Sequence, residues 1–318
     1  MATYLITGIA GFIGSSLARA VLAQGDQVRG IDNLSTGRRA NLCEILDRIE
    51  FHEADIVDAS AAAQACRGVD YVLHQAAIPS VPKSIRDPLG SNRANVDGTV
   101  NLLVAARDAG VKRAVYAASS SAYGDTPTLP KHEGMTPNPI SPYAVAKLAG
   151  EYYMTSFYRC YGLETVSLRY FNIFGPRQDP SSPYSGVLAK FITLMLGGEP
   201  PTIFGDGKQS RDFTYVDNAV QANLLACKAP AKEVAGQVFN VAVGQRVDLN
   251  ETVEILRKLT GYAGEVKYEA ERTGDVKHSL ADLSRSEKHL GYRPTVGFEE
   301  GLRRTVEWYR SQANTTKA

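Results

Sequence analysis

Thr7-Gly8-Ile9-Ala10-Gly11-Phe12-Ile13-Gly14 decides how the rest of the chain is read. Three glycines at three-residue spacing follow the apolar run Tyr4-Leu5-Ile6 and precede a segment with Leu17, Ala18 and Val21 on one helical face. The spacing has a mechanical purpose. One glycine permits a tight turn, another lets the backbone approach a pyrophosphate, and the third lets the helix pack close to the strand, with its N-terminus aimed at the anion. Asp32 stands at the end of the next strand candidate, at about the ~20-residue separation of a carboxylate that receives ribose hydroxyls. An acid there repels a 2′-phosphate, and Asn33-Leu34-Ser35-Thr36-Gly37 is neutral. NAD rather than NADP is therefore expected, although Arg38 and Arg39 stand close. Glycines that serve turns alone are the plain alternative, and strand, helix and carboxylate in that order weigh against it. Asp55-Ile56 would flank the adenine or belong to a solvated loop; both readings stay open.

The first ~175 residues alternate short β-branched or apolar runs with helical segments, which signals a parallel sheet wrapped by helices. Strands are expected at Tyr4–Thr7, Gln27–Ile31, Ile49–His52, Tyr71–His74, Ala114–Ala117 and Thr165–Arg169. Six parallel strands make a doubly wound, Rossmann-type α/β sheet. Beyond Gly175-Pro176 the pattern loosens into Pro- and Gly-bearing stretches, with helices expected near Val187–Leu196, Asn218–Ala226, Leu249–Leu259 and Glu299–Tyr309. The expected organisation is an NAD-binding domain over 1–175 plus about 213–243, and a smaller α/β substrate-binding domain from about 176–212 and 244–318.

Composition narrows the function classes. With 318 residues, 44% apolar and 22% charged, the chain has material for a sizeable core. A net charge of +1 offers no global attraction to nucleic acid or to an acidic membrane, so an anionic ligand needs a local pocket. Cys43, Cys66, Cys160 and Cys227 are scattered and suggest neither a disulfide framework nor a metal site. No signal-like segment precedes Tyr4 and no run of about 18 apolar residues occurs, so a cytoplasmic enzyme is expected.

Tyr143 and Lys147 are four residues apart, behind a Ser141-Pro142 pair that looks like a helix cap, so they should share one helix face. A phenol is a poor base at neutral pH, but an adjacent ammonium and a positive nicotinamide would stabilise its phenolate. Ala118-Ser119-Ser120-Ser121 closes the fifth strand, placing hydroxyls at the carboxyl edge where open α/β sheets bind ligands. A serine there would relay a proton or simply form a turn. For Ser121 the two readings are level.

These residues resemble the extended short-chain dehydrogenase/reductases and, within them, the UDP-sugar 4-epimerases. The resemblance covers nearly the whole chain. It rests on Thr7-Gly8-x-x-Gly11-Phe12-Ile13-Gly14, Asp32-Asn33-Leu34, His74-Gln75-Ala76-Ala77, Asn95-Val96-x-Gly98-Thr99, Ser119 to Gly124, Tyr143-x-x-x-Lys147 and Leu168-Arg169-Tyr170-Phe171-Asn172. It implies that Ser119, Tyr143 and Lys147 are catalytic. Gln75, Ala76, Ala77, Asn95 and Phe171 would join the NAD site. In the 4,6-dehydratases of the family an Asp and a Glu match Ser120 and Ser121. With hydroxyls there, oxidation at C4 is the chemistry that remains supported.

The same resemblance implies that Asn172, Val187, Lys190, Phe204, Arg211, Arg272 and Asp275 hold the UDP-sugar beside Ser120 and Ser121. Ser279 matches a gatekeeper that is a bulky tyrosine in epimerases restricted to plain hexoses. A small residue there implies that UDP-GlcNAc and UDP-GalNAc are accepted, with UDP-Glc and UDP-Gal as further candidates. It implies a homodimer through helices near Asn95–Ala109 and Tyr143–Tyr158. The rival enzyme reading is a UDP-glucuronate 4-epimerase or decarboxylase, which needs a group for the C6 carboxylate. A non-catalytic NAD-sensing protein is the rival from another class; it would normally lack the Tyr, Lys or Ser.

Overall fold

A computed structural model of the chain describes residues 1–180, 186–271 and 277–315. Arg272 and Asp275 lie outside the described residues. The apolar runs form parallel strands β1 (Thr3–Thr7), β2 (Gln27–Asp32), β3 (Glu50–Glu53), β4 (Tyr71–His74), β5 (Arg113–Ser119) and β6 (Glu164–Tyr170). The apolar runs of the sequence predict six strands. A seventh, Gln237–Val241, pairs parallel with β6, so the order across the sheet is Gln237–Val241, β6, β5, β4, β1, β2, β3. This strand follows a stretch with weak periodicity and finds its partner about seventy residues upstream in the chain, so no local signal marks its place.

The alternation of side chains along β1 divides the interior. Tyr4 and Ile6 join the core that α1 (Phe12–Ala23) and much of the C-terminal half complete. Leu5 faces the opposite layer, with Ala62 of α2 (Ala59–Cys66), Leu102 of α5 (Gly98–Asp108) and Met154 of α6 (Pro142–Tyr161). Between them run the short helices α3 (Val81–Arg86) and α4 (Pro88–Asn92), and a π-helical turn at Arg93–Asp97 leads into α5. After β6, α7 (Val187–Leu196) precedes α8 (Val216–Lys228), which returns the chain to the sheet. Helices Leu249–Thr260 and Phe298–Thr315 complete the second half. The four helices expected in that half therefore form, each within a few residues except at the longer C-terminal end. Among the described residues no helix is long and apolar enough to cross a membrane, and no group of three His, Cys, Asp or Glu could hold a metal ion.

A single cation fixes where α8 ends. Arg113, buried at the start of β5, donates through Nη1 to the carbonyls of Ala226, Cys227 and Ala229 at 2.7, 3.1 and 2.7 Å. Its other donors reach Glu164 on β6 at 2.8 and 2.6 Å. The guanidinium thus satisfies helix-terminal acceptors that would otherwise be orphaned, at the negative end of the helix dipole. We expect Arg113→Met to lower the unfolding free energy by roughly 2–4 kcal/mol in urea titrations, because buried carbonyls lose their donor. A variant as stable as the parent would contradict this assignment.

Candidate functional site

The strands deliver their carboxyl ends to one edge, and a cleft of about 1510 Å³ opens there. That exceeds the roughly 300–1,000 Å³ of a site for one small ligand and leaves room for two. Its floor is the glycine turn. Gly8 has φ +67°, and a Cβ there would lie 2.8 Å from the Ala76 nitrogen; a Cβ on Gly14 would lie 2.2 Å from the Gly8 carbonyl oxygen. Both positions exclude a side chain, one by conformation and contact, the other by contact alone. Gly11, Phe12, Ile13 and Gly14 line the cleft where α1 begins.

Asp32 sits at the end of β2, 8% exposed, and each carboxylate oxygen already accepts one backbone donor: Ala10 at 2.9 Å and Leu34 at 2.8 Å. Burial raises its pKa and these two donors oppose the rise. The remaining lone pairs are free for hydroxyl donors. Asn33, Ser35, Thr36 and Gly37 continue the wall, and Asp55 and Ile56 stand across from them. The Asn33 amide donates to Asp55 at 2.8 Å, joining the loops after β2 and β3. Of the two neighbouring cations, Arg38 pairs with Asp179 at 2.5 Å and Arg39 with Glu53 at 3.2 Å. Carboxylates therefore already hold the arginines that a 2′-phosphate would require.

Gln75, Ala76 and Ala77 line the cleft beyond β4. Their support is a buried polar chain. His74 bonds Thr7 Oγ1 at 2.7 Å and Thr99 Oγ1 at 2.9 Å, and Thr99 donates to the Asn95 carbonyl at 2.7 Å. Burial depresses the His74 pKa to about 3, with the Lys147 charge adding to the effect, so the ring is neutral. Asn95, read from sequence as a cofactor residue, is buried beneath the cleft wall. Its amide accepts from the Ile78 N–H at 2.7 Å and donates to the Ile78 carbonyl at 3.2 Å. Sequence reading missed a second network: the Tyr170 hydroxyl donates to Gln75 and accepts from Asn223 of α8, which also accepts from Gln75. Nothing in local spacing joins positions 75, 170 and 223.

On α6 the Ser141 side chain caps the helix by accepting from Ala144, and Pro142 occupies its first turn. Tyr143 and Lys147 follow on one face. The Tyr143 backbone N–H donates to Ser84 of α3 at 3.0 Å, which ties the two helices together at the cleft. Burial raises the Tyr143 pKa, and the Ser119 hydroxyl acts against that rise. Ser119 also accepts from the Ser121 N–H at 3.2 Å and the Ser121 hydroxyl at 2.9 Å. Ser121 thus sits in a turn with its hydroxyl bonded to Ser119, and Ser120 lines the cleft beside it. Lys147 is 4% exposed and donates from Nζ to the Ala117 carbonyl at 2.8 Å; burial lowers its pKa to about 7, with Glu151 opposing.

Phe171, Asn172, Arg211 and Ser279 close the far end. Asn172 has φ +34°, a conformation that costs a non-glycine residue energy. Its amide donates to Ser279 Oγ at 3.3 Å, and Ser279 also accepts from the Asp212 N–H at 3.3 Å. Asp212 is fully buried and receives N–H groups from Val243, Gly244 and Ala281, yet burial lifts its pKa to about 6. Arg211 donates to the carbonyls of Ser210 and Lys277. Val187 and Phe204 lie in an adjoining pocket of about 250 Å³ that shares Asn172 and Arg211 with the cleft. Lys190, one turn beyond Val187 on α7, lines neither cavity.

Comparison with known proteins gives this geometry its relatives. Residues 4–242 match the model of the NAD dependent epimerase/dehydratase family. A UDP-glucose 4-epimerase of Mycolicibacterium smegmatis is 40% identical over 97% of this chain and 99% of its own length. The crystal structure of a Thermotoga maritima UDP-glucose 4-epimerase with UDP-glucose superposes with a TM-score of 0.93 at 39% identity, over 98% of this chain and 99% of that one. A UDP-N-acetylglucosamine 4-epimerase of Methanobrevibacter ruminantium, in complex with UDP-N-acetylmuramic acid, gives 0.93 at 41% identity with the same coverage. A glycine turn with no room for side chains, a carboxylate at the end of β2 and the family match agree on NAD as the cofactor, and the chain belongs to the NAD dependent epimerase/dehydratase family.

Proposed function

We propose that this enzyme interconverts the C4 epimers of a UDP-sugar, with UDP-GlcNAc and UDP-GalNAc as its principal pair and UDP-Glc and UDP-Gal as further substrates. The observation that carries the reaction is the convergence of Tyr143, Lys147 and three serines, with no carboxylate among Ser119, Ser120 and Ser121. Bound NAD supplies the acceptor, and later the donor, of hydride at C4. Tyr143 takes the C4 hydroxyl proton as the 4-keto sugar forms and returns it after the sugar has turned over. Ser119, hydrogen-bonded to the phenol, passes the proton and hydrogen-bonds the C4 oxygen. Lys147, directed at the sheet edge, adds positive charge that favours the phenolate. An acid/base pair able to expel a C6 hydroxyl is not part of this arrangement.

Turning the sugar requires a fixed nucleotide. Arg211 suits the diphosphate because its planar donors engage two oxygens at once, and Phe204 and Val187 offer apolar surface for uracil. Arg272 and Asp275 complete this proposal from sequence alone, as does Lys190, whose place on α7 favours an indirect part. Asn95 serves NAD through the Ala76-Ala77-Ile78 loop that it holds. Division into a cofactor domain, with 213–243 returning to it, and a nucleotide-sugar domain agrees with the Gln237–Val241 strand joining the sheet. The small Ser279 side chain, only partly buried at the cleft wall, leaves space for an N-acetyl group. A homodimer is proposed through α5 and α6, whose Val104, Val145, Tyr152 and Tyr153 are exposed.

Three outcomes follow from these assignments. Tyr143→Phe should reduce kcat by about 10³-fold or more while the protein keeps its fold and NAD, measured by turnover and by cofactor content. In NMR assays of separate UDP-GlcNAc and UDP-Glc reactions without added NAD, the wild type should convert the N-acetyl sugar. Ser279→Tyr should remove that conversion first, whereas equal loss on both sugars would sink the pocket reading, and turnover of UDP-glucuronate alone would replace it. Light scattering should give twice the chain mass, and Tyr152→Glu should shift the protein toward monomer.

A further inference from the structure

Lys147 is followed one helical turn later by Glu151, and neither side chain reaches solvent: they are 4% and 2% exposed. Residues four apart on a helix face one another, so Tyr143, Lys147 and Glu151 form a ladder along α6. Beneath the ladder Arg169 of β6 grips Glu151 with two donors, Nε to Oε1 at 2.9 Å and Nη2 to Oε2 at 2.7 Å. The guanidinium lies over the Tyr123 ring, 4.6 Å from its centroid, and its Nη1 has no hydrogen-bond partner. Burying two charges with an unsatisfied donor is costly, and an apolar pair of similar volume would often be at least as stable. Something other than stability must favour the charges here.

The surroundings of Lys147 indicate what. His74 of β4 is neutral, Tyr116 of β5 presents its ring 4.8 Å from Nζ, and Tyr143 is the other titratable group on the ladder. The Ala117 carbonyl accepts from Nζ. Arg169 is engaged with Glu151, and behind it stand Tyr123 and Glu133. Glu151 is therefore the anion that faces the buried ammonium, and burial otherwise drives that ammonium toward its neutral form.

On the reading that Tyr143 and Lys147 carry the reaction, we propose that Glu151, held in place by Arg169, is a positioning residue that keeps Lys147 protonated and thereby sets the pH range over which Tyr143 works. Glu151 is buried behind the cleft and does not line it. It acts through Lys147, and Arg169 fixes the carboxylate so that its field is constant through turnover.

The test is the ionisation of Tyr143 in the NAD-loaded protein, followed at the tyrosinate absorbance band as the difference from a Tyr143→Phe holoenzyme. Glu151→Gln should move that ionisation to higher pH by roughly one unit, and the acid limb of kcat/KM should move with it. Because Glu151→Gln leaves Arg169 unpaired and can prevent folding, Glu151→Gln combined with Arg169→Met is the second variant; it removes both charges and should show the same direction of shift. Glu151→Asp should restore most of the wild-type profile. A folded double variant with unchanged Tyr143 ionisation and an unchanged pH profile would overturn the proposal and leave the pair a structural one. The absorbance titration needs no sugar, so a shift in a protein that fails to epimerise would support the role of Glu151 and retract the reaction instead.

Discussion

The closeness of two backbone turns governs this molecule. The loop after β1 passes the loop after β4 with no room for a Cβ at Gly8, and α1 begins so near that Gly14 has none to spare either. Only with that approach does the N-terminus of α1 face the cleft that Asp32 and Asn33 wall on one side and Gln75 on the other. The carboxyl ends of β1, β2, β4 and β5 meet there because they are neighbours in a parallel sheet, all ending on one edge. A larger side chain at either glycine would separate the strand ends and the helix and so disperse the cofactor contacts.

Such a close junction needs polar groups that are satisfied without water. His74 supplies them as a neutral ring between Thr7 and Thr99, and the chain continues through Asn95 to the Ile78 backbone. Each member spends its donors and acceptors on the next, so the wall that faces the cofactor is fixed from behind. The same logic recurs at Asp212, where a buried carboxylate gathers three N–H groups and positions Arg211 on one side and Phe213 on the other. Cations are gathered at the cleft, where Lys83, Arg93, Arg177 and Arg211 are among its lining, although the chain as a whole is nearly neutral.

Much of this was legible because it is local in sequence. The glycine spacing, the carboxylate that ends β2, the Ser141 cap and the four-residue step from Tyr143 to Lys147 each lie within one strand, one strand–turn–helix unit or one helix. Six strands could be read from short apolar runs. The strand Gln237–Val241 could not, because only its pairing with distant β6 distinguishes it from the irregular segments around it. The contact between Gln75, Tyr170 and Asn223 was hidden for the same reason. Asn95 illustrates a subtler limit: its motif marked it as belonging to the site, but only packing reveals that its amide is spent on Ile78. Lys190 lies on a helix that sequence located well, and one turn separates it from Val187 at the pocket wall.

The geometry of α6 ties stability to reactivity. A buried lysine is expensive as a cation, and a partly buried phenol resists ionisation. Each group is unfavourable alone, yet a positive charge near the phenol lowers the cost of its phenolate, and an anion near the ammonium lowers the cost of its charge. Placing Tyr143, Lys147 and Glu151 at successive turns makes these compensations follow from one helix, while Arg169 brings the neighbouring strand into the same chain of charges. The order of charges matters for stability: removing one member would leave an ion buried without its partner. A helix this charged on its inner face retains its packing because β5 and β6 offer an aromatic ring, a carbonyl and a guanidinium beneath it, from Tyr116, Ala117 and Arg169.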